Sequence, residues 1–561
     1  MSSFSNPLSR RAFLHGGLGL AGVGLLAACG GQGSAPPPAA VLVTPDGPQV
    51  NAVDASRYRD GVTRTFSYTA TPGMVDLGGP TVATWSYDGV VPGHELRVNA
   101  GDQVQVNVTN HLPQDTTMHW HGLAIRNNMD GVPYVTQNPI PAGGSFSYRY
   151  VVDEPGTYWY HPHVGVQFDR GLYGPLIIED PHEPLSYDED WTVVLDDWLD
   201  GVDGLTPEEV SAALSKGMPG MGSGSAPPSS TPMPGMTGTT MPGMSGMNMP
   251  GMSPAPPSPA PMSGMPMGGS PSPSTGSMPG SSAILMNGTS PLLGGDAGDV
   301  KYPYYLINGR VPTAPVTFTS KPGSRVRIRF INAGGDTAFR VALGGHRMTV
   351  VHTDGHPINP VQADTLLLGM GERYDVLVTL ADGVFPLVAL AEGKNQTALA
   401  LVRTGNGAVP PATVRPAELN GTLVGGSQVG QLTAASSERL PAHTVNQTIP
   451  LTLTGDMQSY NWGINGKRYS PTAPPLAILT SGQRVRMTYI NTTTMWHPMH
   501  LHGHSFAVGG PGGPRKDTVI VLPGASVSCE FDTDNPGLWV THCHNVYHEN
   551  SGMMGVLAYR T

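Results

Sequence analysis

One local pattern occurs three times in this chain: a turn, six residues alternating polar and apolar, then a segment ending in asparagine. Ala100-Gly101-Asp102 leads into Gln103-Val104-Gln105-Val106-Asn107-Val108 and then Thr109-Asn110. Lys321-Pro322-Gly323-Ser324 leads into Arg325-Val326-Arg327-Ile328-Arg329-Phe330 and Ile331-Asn332. Ser481-Gly482-Gln483 leads into Arg484-Val485-Arg486-Met487-Thr488-Tyr489 and Ile490-Asn491. Period-two alternation is the mark of a strand with one buried face. A unit that returns roughly every 160 to 220 residues predicts three copies of one β-domain. Long helical periodicity is absent, so the predicted fold class is all-β, three Greek-key sandwiches. Composition agrees: 74 Gly and 56 Pro in 561 residues is about twice average use. Collagen is excluded because no Gly-X-Y period runs through the chain. A net charge of -11 argues against a nucleic-acid partner.

The ends and one internal stretch stand apart from the sandwiches. Ser9-Arg10-Arg11-Ala12-Phe13-Leu14 is a twin-arginine pattern, followed by an apolar run from Gly16 to Leu26. The run is too short to span a bilayer in the mature protein. It ends in Leu26-Ala27-Ala28-Cys29, which resembles a lipobox with Cys29 as the residue to be lipidated; plain cleavage at the small residues is the alternative. Residues 30–47 read as a linker. From Gly217 to Gly280 there is no charged residue and no histidine, yet 13 of the 26 methionines fall there. Met-Pro-Gly-Met begins at Met218, Met233, Met241 and Met249. Such a composition cannot build a core, so it reads as a disordered insertion. The expected organisation is a signal over 1–29 and sandwiches over 48–183, 184–408 (with the insertion) and 409–561.

Ten of the 19 histidines fall in four short clusters. They are His119-Trp120-His121; His161-Pro162-His163; His497 with His500 and His502; and His542-Cys543-His544 with His548. The first two clusters lie in the first repeat and the last two in the third. The middle repeat has His346, His352 and His356, none paired at i, i+2. On a strand, residues i and i+2 share a face, so each His-x-His offers two imidazoles side by side. In His542-Cys543-His544 the thiol leaves from the opposite face, and the odd step from His500 puts His497 on that same side. Zinc sites favour C-x-x-C or H-x3-H spacing, which this arrangement lacks. Imidazole suits copper, and two His with one Cys and a weak axial Met is the blue-copper set. Cys529 reads as a small buried hydrophobe.

These motifs ("HWHG", "GTYWYHPH", "HPMHLHGHSF" and "HCHNVYHENSGMM") resemble those of the three-domain multicopper oxidases, built from cupredoxin sandwiches. The resemblance covers nearly all of residues 50–561 outside the Met-rich stretch. It implies four copper ions. His497, Cys543 and His548 would hold a type 1 copper, with Met553 as axial ligand, and His119 and His500 a type 2 copper. His121, His161, His163, His502, His542 and His544 would hold a type 3 pair. Asp130 and Glu549 stand where the family places proton donors. Pro162 replaces a usual serine. The implied reaction is one-electron oxidation of a donor at the type 1 copper, coupled to four-electron reduction of O2 to water.

Thioethers are soft ligands that select Cu(I), so the Met-rich stretch points to cuprous ion as substrate and to copper tolerance. The alternatives are a laccase acting on phenols and aromatic amines, with the stretch as a lid, and a non-catalytic copper-storage lipoprotein. Storage needs no complete trinuclear ligand set. The expected setting is extracytoplasmic, as a monomer, with membrane attachment only through Cys29.

Overall fold

The structure, a computed structural model, describes residues 40–218, 285 and 288–561. The leader with Cys29, and the Met-rich stretch beyond Met218, lie outside the described residues.

All three repeat units are strands that end on the asparagine: Gln103–Asn110, Arg325–Asn332 and Arg484–Asn491. Each lies parallel to the strand that opens its unit and antiparallel to a later one. The partners are Thr63–Asp76 and Ser145–Val151, Glu189–Trp198 and Arg373–Thr379, and Val445–Thr454 and Ser526–Asp532. Every unit adds a second sheet. The pairs hold four and four strands, six and six, and six and five. The fold is therefore all-β, with apolar cores of inward-facing residues such as Val104, Val106, Tyr148 and Tyr158 in the first unit. The short strand Leu423–Gly425 pairs with Thr365–Leu368 and so extends the second unit's sheet.

The recurring asparagine has a structural cause. Asn110 donates through Nδ2 to the carbonyls of Gln114 and Ile140 and accepts from the Leu112 N–H. Asn332 does the same with Thr337, Leu368 and Gly334. Asn491 repeats it with Met495, Val521 and Thr493. All three are buried. A buried amide satisfied on every side fixes the loop that leaves the strand. In the first and third units that loop runs straight into a histidine strand, His119–His121 and His497–Leu501. The pattern that announced the fold also aims these histidine side chains.

Candidate metal centre

Pairing across two sheets assembles the four clusters. His119 lies opposite His161. On the other side His500 lies opposite His542, and Met499 opposite Cys543. The cluster histidines and Cys543 are all buried.

The structure sorts eight of the ten cluster histidines into three triads, and joins the other two, His497 and His548, to Cys543. His119, His121 and His500 form one group, His121, His161 and His544 a second, and His163, His502 and His542 a third. In each group the ligand atoms lie within 4.8 Å of one another. On the opposite face of Leu538–Cys543, the Cys543 Sγ is 3.6 Å from Nδ1 of both His497 and His548, and those two nitrogens are 3.1 Å apart. A point equidistant from the three atoms lies about 2 Å from each, near the length of metal–imidazole and metal–thiolate bonds. Met553 is tied to this triangle through its backbone. The Cys543 N–H donates to its carbonyl at 3.0 Å, and its own N–H donates to the His548 carbonyl at 3.0 Å.

Ring nitrogens facing away from the triads are anchored. His119 Nδ1–H donates to the Asp130 carbonyl at 2.7 Å, and His502 Nδ1–H to Asp130 Oδ2 at 2.9 Å. His161 Nδ1–H donates to the Pro162 carbonyl, and His500 Nδ1–H to the Asp517 carbonyl. His542 Nδ1 bonds the Cys543 carbonyl at 3.0 Å and lies 3.1 Å from Glu549 Oε2. His163 Nδ1 lies 3.4 Å from Glu549 Oε1. His121 is reversed: its Nε2–H donates to Asp517 Oδ1 at 3.0 Å. Nε2 of His119, His161, His163 and His500, Nδ1 of His121 and both nitrogens of His544 are buried without a hydrogen-bond partner among the described residues. Convergent bare nitrogens with anchored far sides are what metal-ligating imidazoles require, so the donor set fits copper.

Electrostatics keep most of these rings in the neutral, ligand form. Burial holds His121, His161, His497, His502 and His544 well below the ordinary imidazole range, lowers His500, and brings His163 to about 3. His542 is the exception: burial opposes its charging, but the Glu549 carboxylate outweighs burial and raises it. Glu549 answers in kind, drawn down to about 2 by His542 and then His163 against its own burial. Burial pushes the Cys543 thiol well above its usual value, so a thiolate there calls for a bound cation.

Glu549 and His163 also line a cavity of about 690 Å³ between the first and third units, walled by Asp115, Tyr134, Arg468 and Tyr469. Asp130 meets the cluster at His119 and His502. Its position depends on Gly131, whose left-handed φ of 88° and 2.1 Å approach of an added Cβ to the Met118 carbonyl leave no room for a side chain. His346, His352 and His356 of the middle unit lie outside these groups. They bond the Gly344 carbonyl, Arg327, and Glu438 with Ser505.

Two carboxylates escaped the sequence reading. Asp517 holds His121 and His500. Asp299 Oδ2 accepts from His548 Nε2 at 3.1 Å and from the Tyr460 hydroxyl at 2.5 Å. The one available signal was Lys516-Asp517, a charged pair opening the otherwise apolar strand Thr518–Val521. Trp462 packs at 4.4 Å, ring to ring, on His548.

Comparison with known proteins agrees with this geometry. Three family models, each described as multicopper oxidase, match residues 69–183, 265–407 and 443–561. Multicopper oxidase MmcO of Mycobacterium tuberculosis is 44% identical over 98% of this chain and 96% of its own. A copper resistance protein A homolog of Pseudomonas syringae pv. tomato is 28% identical, covering 88% and 92%. Among solved structures, Fet3p, a multicopper oxidase that functions in iron import, superposes with a TM-score of 0.66 at 22% identity, covering 89% of this chain and 90% of its own. A laccase from Botrytis aclada gives 0.66 at 23%, covering 91% and 90%.

Proposed function

The chain belongs to the multicopper oxidase family and is an oxidase with copper as cofactor and O2 as acceptor; from that premise we propose which residues hold each copper and that cuprous ion is the donor. His497, Cys543 and His548 would hold the type 1 copper, with Met553 as its further, weak ligand. His119 and His500 hold type 2. The type 3 pair divides into His121, His161 and His544 for one ion and His163, His502 and His542 for the other. Bound copper supplies one-electron acceptance at the Cys543 site and joint delivery of four electrons to dioxygen at the histidine cluster.

The chain's own groups do the rest. Cys543 is covalently continuous with His542 and His544, so the two sites are joined by a few bonds. Burial excludes water from the cluster, while the Glu549 cavity supports a route for dioxygen in and water out. Glu549, in reach of His542 and His163, passes protons from that cavity. Asp130, bonded to His119 and His502, serves as a second proton carrier. The domains divide as 48–183, 184–408 and 409–561, with the strand Leu423–Gly425 of the last segment completing the second unit's sheet. The twin-arginine leader exports a folded, copper-loaded monomer, and Cys29 supplies a lipid anchor. No helix among the described residues is long and apolar enough to cross a membrane.

The observation that carries the cuprous reading is where the Met-rich stretch is rooted. Met218, its first methionine, is buried and donates its N–H to the Met457 carbonyl, three residues before Tyr460. On the far side Leu285 bridges Val300, next to Asp299. Asp299 accepts from His548 Nε2, and Tyr460 donates to the same Asp299 oxygen. The described residues flanking the Met-rich stretch thus lie within a few residues of the groups at His548, which supports a soft, cuprous donor. The test is deletion of residues 219–280 with Met218 kept, following oxygen uptake with Cu(I) and with a phenol. Cuprous kcat/KM should fall several-fold with phenol oxidation unimpaired. Unchanged cuprous oxidation with faster phenol oxidation would replace this reading with a general laccase.

A further inference from the structure

The middle unit places no residue in the four histidine clusters, yet one of its side chains reaches Asp517, which holds two of their members. Arg373, which opens the strand Arg373–Thr379, is fully buried. Its Nη1 and Nη2 donate to the two oxygens of Asp517 at 2.8 and 2.6 Å. Its Nε donates to the Thr157 carbonyl of the first unit at 3.0 Å, and Nη1 also to the Gly371 carbonyl at 3.0 Å. Every part of the guanidinium is engaged, and the fork fixes the plane of the carboxylate. Asp354 clamps the same point from behind. It accepts the backbone N–H groups of Arg373, Asp517 and Thr518.

What Asp517 then does is specific. Its Oδ1 accepts from His121 Nε2, while its carbonyl accepts from His500 Nδ1. His121 can face the cluster with Nδ1 only while Nε2 has an acceptor, since the partner at one nitrogen sets which tautomer the other presents. The middle unit also walls these rings in. Gly371 has a φ of 85°, and a Cβ there would stand 2.9 Å from His121 Cε1 and 3.1 Å from His544 Cδ2. Without Arg373, Asp517 would be a buried carboxylate lacking its charge partner, free to turn away from His121.

We propose that Arg373 is a positioning residue for the histidine cluster: by orienting Asp517, whose Oδ1 accepts from His121 and lies 3.3 Å from His500 Nδ1, it makes the type 3 ligand His121 present Nδ1 and the type 2 ligand His500 present Nε2, so that occupancy of the type 2 copper and of that type 3 ion depends on the middle domain. This rests on the ligand assignment above. The effect is directed at the histidine cluster and spares the type 1 site, because among the described residues Asp517 bonds His121 and His500, and neither it nor Arg373 makes a hydrogen bond to Cys543, His497 or His548.

The test uses copper-loaded full-length chain and three variants, Arg373→Lys, Asp517→Asn and His500→Ala. Type 1 copper is counted by its blue absorption and electron paramagnetic resonance, and type 2 by its own resonance during titration with a chelator. R373K keeps the charge and loses the fork, and D517N keeps the volume and loses the charge, so at least one should fold; retained blue absorption reports that it has. The expected result in either folded variant is type 2 loss at 10- to 100-fold lower chelator, the usual consequence of removing an outer partner, with a changed type 2 hyperfine splitting and one type 1 copper per chain. Type 2 retention within twofold of the parent, with an unchanged spectrum, would overturn the proposal. H500A separates the two readings. If it too keeps the type 2 signal, the ligand assignment is wrong. If it loses the signal while R373K and D517N keep it, only the role of Arg373 is wrong.

Discussion

Replacing Glu549 with Gln separates proton delivery from copper binding. The amide is nearly isosteric, and its oxygen still accepts from His542 Nδ1, which lies 3.1 Å from Oε2 in the parent. The longer contact to His163, 3.4 Å, would lose its acceptor to an NH2 group. Loss of one outer partner of a ligating histidine costs about 10- to 100-fold in metal affinity, roughly 1.4–2.7 kcal/mol, which leaves a tightly bound cluster loaded. Losing a positioned proton carrier costs more, about 10²–10⁴ in rate, or roughly 3–5 kcal/mol of barrier. Proton supply should therefore be the larger effect. The assay is two half-reactions by stopped flow: anaerobic bleaching of the blue band by donor, then its return on mixing with oxygen. E549Q should bleach at the parent rate and recover at least about 100-fold more slowly. Recovery at the parent rate would refute proton delivery through Glu549. Equal slowing of both half-reactions would show instead that the substitution had damaged the path from Cys543.

Three further outcomes follow from the same geometry. Cys543→Ser should abolish the blue absorption and leave three coppers per chain, since the histidine cluster lies on the other face of the strand; copper analysis with visible spectroscopy reads both. Met553→Leu should keep the blue colour and raise the type 1 potential, because a weak axial ligand is exchanged for an apolar one; redox titration of the blue band measures the shift. Asp375 is buried, and although burial works to raise it, Arg327 and then Arg329 bring its carboxyl to about 2. A depressed carboxyl stabilises the fold above its unfolded value near 4 and loses that contribution as pH falls toward 2. Asp375→Asn should therefore cost about 2 kcal/mol or more at pH 6 and progressively less on acidification below pH 4, as read by urea unfolding of copper-free protein.

The sequence carried a great deal of this because the informative signals were local. Alternation marked the strands Gln103–Asn110, Arg325–Asn332 and Arg484–Asn491, and the threefold turn–strand–asparagine unit marked the repeated sandwich. Spacing put Cys543 and His544 on opposite faces of one strand, and the odd step from His500 to His497 turned the latter toward the thiol, where it lies 3.6 Å away. The outer partners were not legible, because they are pairings between distant elements. Asp517 meets Arg373 across 144 residues and His121 across 396, and Asp299 meets His548 across 249. No periodicity records such a contact, and a buried ion pair looks in sequence like any charged pair at a strand end. The grouping of the cluster histidines into triads likewise arises from the meeting of the first and third units, which spacing inside either one does not encode.

The coupling itself is tested most directly by counting electrons: cuprous ion consumed and oxygen taken up, measured together with peroxide released. Four Cu(I) per O2 with no hydrogen peroxide is the result expected if the donor is oxidised at the Cys543 site and oxygen reduced at the histidine cluster. Two Cu(I) per O2, with one hydrogen peroxide formed for each, would contradict it.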